Sequence, residues 1–243
     1  MADDGEPSHD FSEGEGFGDP YEGFDLEPEF DIDPSQVDPV DSRVLTDRLD
    51  MDQLPSDQID VDRLMGVGVE YTQINRYEQA TETFERAARL TDDESIEQEA
   101  WVNKGAAHAQ LDEYDAAIGA YKDAIQIDDE SEHAATAETN LAYALWEAGR
   151  TEQALEHSER AVEIDSRFAQ AWYNRGFFLA ERGLAEDALN CFNNAIRLGF
   201  RNATILEEKA QVLEEVGDSE EAEEVAAEAE EIRQQAESRM MEQ

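Results

Sequence analysis

Residues 171–196 read A-W-Y-N-R-G-F-F-L-A-E-R-G-L-A-E-D-A-L-N-C-F-N-N-A-I. Two alanines in this stretch, Ala188 and Ala195, stand seven apart, and each belongs to a series that runs along the chain. The first series is Ala80, Ala117, Ala154, Ala188 and Ala222; the second is Ala87, Ala124, Ala161, Ala195 and Ala229, with steps of 37, 37, 34 and 34 residues in both. A period of that length marks a solenoid, in which one helical hairpin cannot bury its apolar face until neighbours stack on it. Such a chain is expected to hold partners rather than to catalyse.

Each unit reads as two helices. In the second, Trp101, Gly105 and His108 lie three or four apart, and Tyr114, Ala117, Tyr121 and Ala124 do the same, which is one face of a helix, twice. Between them the chain must reverse, and the five reversal positions hold Asn75, Asp112, Gly149, Gly183 and Gly217. All three residue types tolerate the left-handed backbone that ends a helix. Helices that cross closely need small side chains where the backbones meet. Gly68, Gly105, Ala142, Gly176 and Ala210 supply them on the first helix of each unit, opposite the alanine series.

This pattern resembles the tetratricopeptide repeat (TPR). The register is followed by Trp172, Gly176, Ala188, Phe192 and Ala195 in unit four, by Leu64, Gly68, Tyr71, Ala80, Phe84 and Ala87 in unit one, and by Trp101, Gly105, Ala117, Tyr121 and Ala124 in unit two. Unit three departs at Glu138 and Ser158, and unit five keeps little beyond Leu206, Ala210, Ala222 and Ala229, with a Glu- and Ala-rich second helix suited to a terminal repeat. The resemblance implies an all-α fold, a right-handed α-solenoid of about five helix hairpins. The two longer steps place three extra residues, about one helical turn, in the linkers after units one and two. Ser95 with Gln98 has capping-box spacing, so the helix carrying Trp101 is expected to begin early.

The first 55 residues differ in kind. All six prolines lie there, and residues 1–60 hold 20 acids against Arg43 and Arg48, the composition of a segment that cannot collapse. Val44, Leu45, Leu49 and Leu54 suit a short helix over the open face of unit one, with Ser56 or Asp57 capping the first repeat helix. Phe11, Phe17, Tyr21, Phe24 and Phe30 interrupt the acidic tail. They read either as a recognition motif or as incidental to a solubilising tail. The expected organisation is a disordered acidic tail over 1–42, a short capping helix and linker over 43–60, the repeat domain over 61–236, and a C-terminal tail over 237–243. The repeats fall at about 61–94, 98–131, 135–168, 169–202 and 203–236.

Net charge is −44 over 243 residues, and −26 over residues 61–243, with only 3 lysines in the whole chain. Self-repulsion of that size opposes compaction at ordinary ionic strength and is largely screened at molar salt. Pervasive acid with so little Lys is similar to the cytosolic proteins of halophilic archaea. The start, M-A-D-D-G-E-P-S, has neither basic residue nor apolar run, and no stretch approaches a membrane span, so the expected compartment is the cytoplasm. Cys191 is the only cysteine and reads as a small buried hydrophobe.

No catalytic constellation stands out, and no cofactor or metal site is expected: His9, His108, His133 and His157 make no metal-ligand spacing with one another or with Cys191. There is no phosphate-binding loop and no basic patch for nucleic acid. The TPR resemblance implies that first-helix positions 2, 5, 6, 9, 12 and 13 line a concave groove for a peptide or a partner helix. Position 6 is Asn103, Asn140 and Asn174 in three successive units, an amide ladder able to hold a peptide backbone. Around it, Tyr143, Trp146, Tyr173 and Phe177 are expected to form an aromatic patch that anchors a partner. The other groove positions carry Asp62, Glu99, Glu147, Glu181, Glu207, Glu214 and Glu215 and no Lys or Arg, so a cationic clamp on an acidic C-terminus is disfavoured. The expected function is a non-catalytic protein-interaction scaffold; the competing readings are a self-assembling structural protein and an accessory subunit of an enzyme complex.

Overall fold

The structure, a computed structural model, describes residues 60–241. The acidic tail, its aromatics and the helix expected over 44–54 lie outside those residues. Ten helices and no strand occur among the described residues: α1 (Val61–Gln73), α2 (Tyr77–Leu90), α3 (Glu94–Gln110), α4 (Tyr114–Ile127), α5 (Glu132–Glu147), α6 (Thr151–Ile164), α7 (Ala169–Glu181), α8 (Ala185–Arg197), α9 (Ala203–Val216) and α10 (Ser219–Met241). They pair as five hairpins, and α10 runs through residues 237–241, where a tail was expected.

The five reversals share one geometry. Asn75, Asp112, Gly149, Gly183 and Gly217 all have positive φ, from 57° to 87°. The next amide then reaches back to close the helix end: Arg76 N to Tyr71 O at 2.8 Å, Glu113 to His108 at 3.0 Å, Arg150 to Leu145 at 2.8 Å, Leu184 to Leu179 at 2.9 Å and Asp218 to Leu213 at 2.9 Å. This is the Schellman closure, which satisfies carbonyls that a helix end leaves unpaired.

Four of the five first helices are started by side chains, and α7, which follows Phe168, is not. Asp60 accepts from Arg63 N, Asp93 from Ser95 N and Ile96 N, Ser131 from Ala134 N, and Asn202 from Ile205 N. The cap of α1 is thus Asp60, beyond the expected Ser56 or Asp57. The early start of α3 is realised, since it spans 17 residues against 13 in α1. Its cap, however, is Asp93 and not Ser95, because Gln98 turns inward instead of back to the helix end. Gln98 Nε2 donates to Ala124 O at 3.0 Å and Asp128 O at 2.5 Å, while Ser131 Oγ donates to Gln98 Oε1 at 2.7 Å. One buried amide therefore ties the end of α4 to the start of α5.

Packing follows the alanine series. Ala80, Ala117, Ala154 and Ala188, with Ala87, Ala124, Ala161 and Ala195, are fully buried, which lets each helix pair close tightly. Along the series α3 packs on α5, α5 on α7 and α7 on α9, whereas successive second helices hardly meet. The first helices consequently form the inner wall of the solenoid and the second helices the outer.

Candidate functional site

The inner wall carries the residues expected to bind. Asn103, Asn140 and Asn174 sit on α3, α5 and α7, but in two different states. Asn103 and Asn140 are partly exposed and make no side-chain hydrogen bond among the described residues. Asn174 is buried: its Nδ2 donates to Thr139 O at 3.4 Å and its Oδ1 accepts from Gln170 Nε2 at 2.9 Å. It ties α7 to α5.

The four aromatics separate into three settings. Trp146 stacks on the core residue Phe178 at 4.8 Å and meets Phe177 edge-on at 5.7 Å, bridging α5 and α7. Tyr173 lies 4.9 Å from the Phe200 ring and donates its hydroxyl to Glu208 Oε1 at 3.0 Å. Phe200 reaches that place because Gly199, at φ 99°, ends α8 in the same left-handed closure as the hairpins, with Phe200 N bonded to Ala195 O at 2.9 Å. Tyr143 is 45% exposed and stands apart from both clusters of rings.

Glu208 was not singled out from the sequence, although it holds in α9 the register position of the three asparagines. Its Oε2 is buried without a hydrogen-bond partner among the described residues. Burial first, and then the charges of Glu181 and Glu207, push its carboxyl above the ordinary 4.5, against the Tyr173 hydrogen bond, which lowers it. Burial, reinforced by the Glu208 charge, likewise raises the Tyr173 phenol.

A hollow of about 330 Å³ opens between the second and third hairpins, lined among others by Gln110, Asp112, Tyr114, Asn140 and Tyr143. The Tyr114 hydroxyl donates to Asp112 Oδ1 at 3.0 Å, a contact that pushes the phenol up to about 12. Tyr143 is raised as well, by burial and then by the Glu147 carboxylate. Tyr114 read from the sequence only as a core position; the turn at Asp112 brings it to the groove.

Elsewhere, Cys191 is buried, and burial pushes its thiol up to about 11, so it is held as the neutral, unreactive form. No group of three or more His, Cys, Asp or Glu side chains able to hold a metal ion occurs among the described residues, and none of their helices is long and apolar enough to cross a membrane.

Stacked two-helix hairpins whose first helices line one wall define an α-solenoid. The chain belongs to the tetratricopeptide-repeat family: models of that repeat match residues 62–94, 97–167 and 179–237. None of the curated proteins matches it. Among solved structures it is similar to BtubC (BKLC) from P. vanneervenii, with TM-score 0.64 and 17% identity over 73% of this chain and 81% of that one. It is also similar to residues 41 to the end of MamA from Desulfovibrio magneticus RS-1, with TM-score 0.59 and 17% identity over 72% and 96%. A third similarity is to YrrB, described as a TPR protein with an unusual peptide-binding site, with TM-score 0.54 and 20% identity over 71% and 86%. These similarities show the fold.

Proposed function

We propose that this chain is a non-catalytic scaffold that holds an extended peptide or a helix of a partner protein along the inner wall formed by α3, α5 and α7. The observation that carries this reading is the row of unengaged amides, Asn103 on α3 and Asn140 on α5, with the Trp146–Phe177 pair bridging α5 and α7. An amide can donate to a carbonyl and accept from an N–H at once, so two of them along one wall hold a peptide backbone, while the rings supply apolar contact. The peptide-binding site described for YrrB supports the same use of the fold. With Asn174 tied to Thr139, the backbone-reading amides reduce to Asn103 and Asn140. The acidic composition supports the reading of a halophilic archaeal cytoplasmic protein, whose charge salt would screen, and it disfavours nucleic acid and anionic membranes as partners.

Selection of randomised twelve-residue segments from a displayed library in ~2 M KCl, where charge steering is screened, tests the reading. Segments captured by the full chain should be weakened by ~1–3 kcal/mol on Phe177→Ala and by about 1 kcal/mol on Asn140→Ala, at unchanged helical circular dichroism. Glu223→Gln and Glu224→Gln on α10 should leave capture intact. Segments that survive the inner-wall substitutions and are lost on changes to the outer helices would overturn it, as would a library that yields no captured segment.

A further inference from the structure

The hollow between the second and third hairpins is built from unlike materials. Ala106 and Ala109 on α3 line it with small side chains, and Tyr114, Tyr121 and Tyr143 line it with rings. Asp112 lies at the hairpin reversal with its Oδ1 already against the Tyr114 hydroxyl, and Glu147 follows Tyr143 by one helical turn. The two carboxylates are close enough to the phenols to raise the proton affinity of both tyrosines.

No cation of the described residues answers these carboxylates, which enter no ion pair there. The neighbouring basic side chains are engaged elsewhere. His108 Nδ1 contacts Glu113 at 2.7 Å, and Arg150 contacts Asp115 at 2.7 Å. Aromatic faces and carboxylates together attract the same chemistry, since the ring face is negative and favours a positive charge over it.

We infer that this hollow, between α3, α4 and α5, receives the side chain of an Arg or Lys from the segment held in the groove, with the cation between the Tyr114 and Tyr143 rings and paired to Asp112 or Glu147. The inference rests on the groove reading and adds which residue type the partner must present. Charge complementarity favours a basic partner segment over the other occupants: the chain's own first 60 residues carry a net −18, and a second copy carries −44. Like charge brought into a carboxylate-lined hollow is repelled. Gln110 and Asn140 at its edge can hold the backbone beside the inserted side chain, which fixes the cation's position relative to the amides.

The same displayed segments test the inference in full-length protein. Segments captured in ~2 M KCl should share one Arg or Lys at a constant offset from their apolar residues, and changing that residue to norleucine should weaken capture at least tenfold. Tyr143→Leu should weaken capture about tenfold, while Glu147→Gln, an exposed carboxylate in screening salt, and Tyr143→Phe, which keeps the ring face, should each weaken it less than about threefold. On the doubly substituted Tyr143→Leu, Glu147→Gln protein, a fresh selection should lose the constant basic residue while keeping the apolar ones. Captured segments that depend on Phe177 and Asn140 but carry no constant basic residue, or that ignore Tyr143→Leu, would overturn this inference and leave the groove reading standing. Segments independent of Phe177 and Asn140 would overturn both.

Discussion

A β-carbon on Gly176 would stand 2.7 Å from Cδ1 of Phe192, inside any normal contact, so the α7–α8 crossing is closed by a glycine against a ring. The same holds for Gly68 against Phe84 and for Gly105 against Tyr121. Where the first helix carries Ala142 or Ala210 instead, the ring's register position holds Ser158 or Ala226. Glycine and ring therefore go together, and alanine goes with a small partner. Gly176→Ala should cost ~1–3 kcal/mol by overpacking. Gly119→Ala, in a helix with nothing within 4 Å, should gain ~0.5–1 kcal/mol. Ser158→Phe should destabilise, and adding Ala142→Gly should recover much of the loss. Urea unfolding at one salt concentration reads all four; a neutral Gly176→Ala would refute the close crossing.

The third hairpin buries a carboxyl group where its neighbours hold a half-buried indole. Glu138 holds the register position of Trp101 and Trp172, its side chain is 4% exposed, and its Oε2 meets His157 Nδ1 at 2.6 Å, with Arg160 Nε at 3.9 Å from Oε1. Breaking a buried pair from one side leaves a desolvated carboxylate, whereas replacing both partners by apolar groups removes the desolvation cost. His157→Leu should therefore cost about 3 kcal/mol, and Glu138→Leu with His157→Leu should return to within about 1 kcal/mol of the parent. If the double substitution is as damaging as the single one, the pair is not what organises this hairpin.

The repeat, its five reversals and its close crossings were legible because each depends on a residue's own conformational or steric property, repeated five times. Asn75 and Asp112 tolerate positive φ wherever they stand, and a buried alanine needs no partner to be read. What escaped depends on who meets whom across helices. Gln98 looked like half of a capping box, but the distant carbonyls of Ala124 and Asp128 compete for its amide and win. Asn174 looked equivalent to Asn140 until Thr139 and Gln170 took its hydrogen-bonding atoms. Glu208 shared that register position and was hidden by the general excess of acid, while the hollow at Tyr114 exists only because the Asp112 reversal swings that ring to the inner wall.

Glu208 should make stability depend on pH in a direction opposite to that of a paired carboxylate. Its carboxyl is raised above 4.5 by burial, so on acidification the folded chain takes up this proton before the unfolded chain does. Its contribution to stability thus grows as the pH falls through the folded-state value and levels off below the unfolded one. Glu208→Gln, neutral at every pH and still able to accept from the Tyr173 hydroxyl, should raise the melting temperature by on the order of 2 °C near neutrality. That advantage should shrink as the pH approaches the ordinary carboxylate range. A variant less stable than the parent at neutral pH would show that the ionised carboxylate is held favourably.

Salt should decide whether the solenoid closes at all. Residues 61–243 carry a net −26, while the ion pairs that offset it are mostly exposed, such as Arg150–Asp115 and Arg160–Asp129. Exposed pairs of this kind contribute little each, so they do not cancel the repulsion summed over the whole wall of helices. Screening does: the Debye length falls from about 10 Å at 0.1 M to about 3 Å at 1 M, below the spacing of most like charges here. Helical circular dichroism and melting temperature should accordingly fall as KCl is lowered from ~2 M to ~0.1 M, and sucrose in place of salt should not restore the charge-driven part of the loss. Unchanged helicity and melting temperature at ~0.1 M KCl would mean that packing of the alanine-lined hairpins outweighs the repulsion unaided, and the halophilic reading would fall with that result.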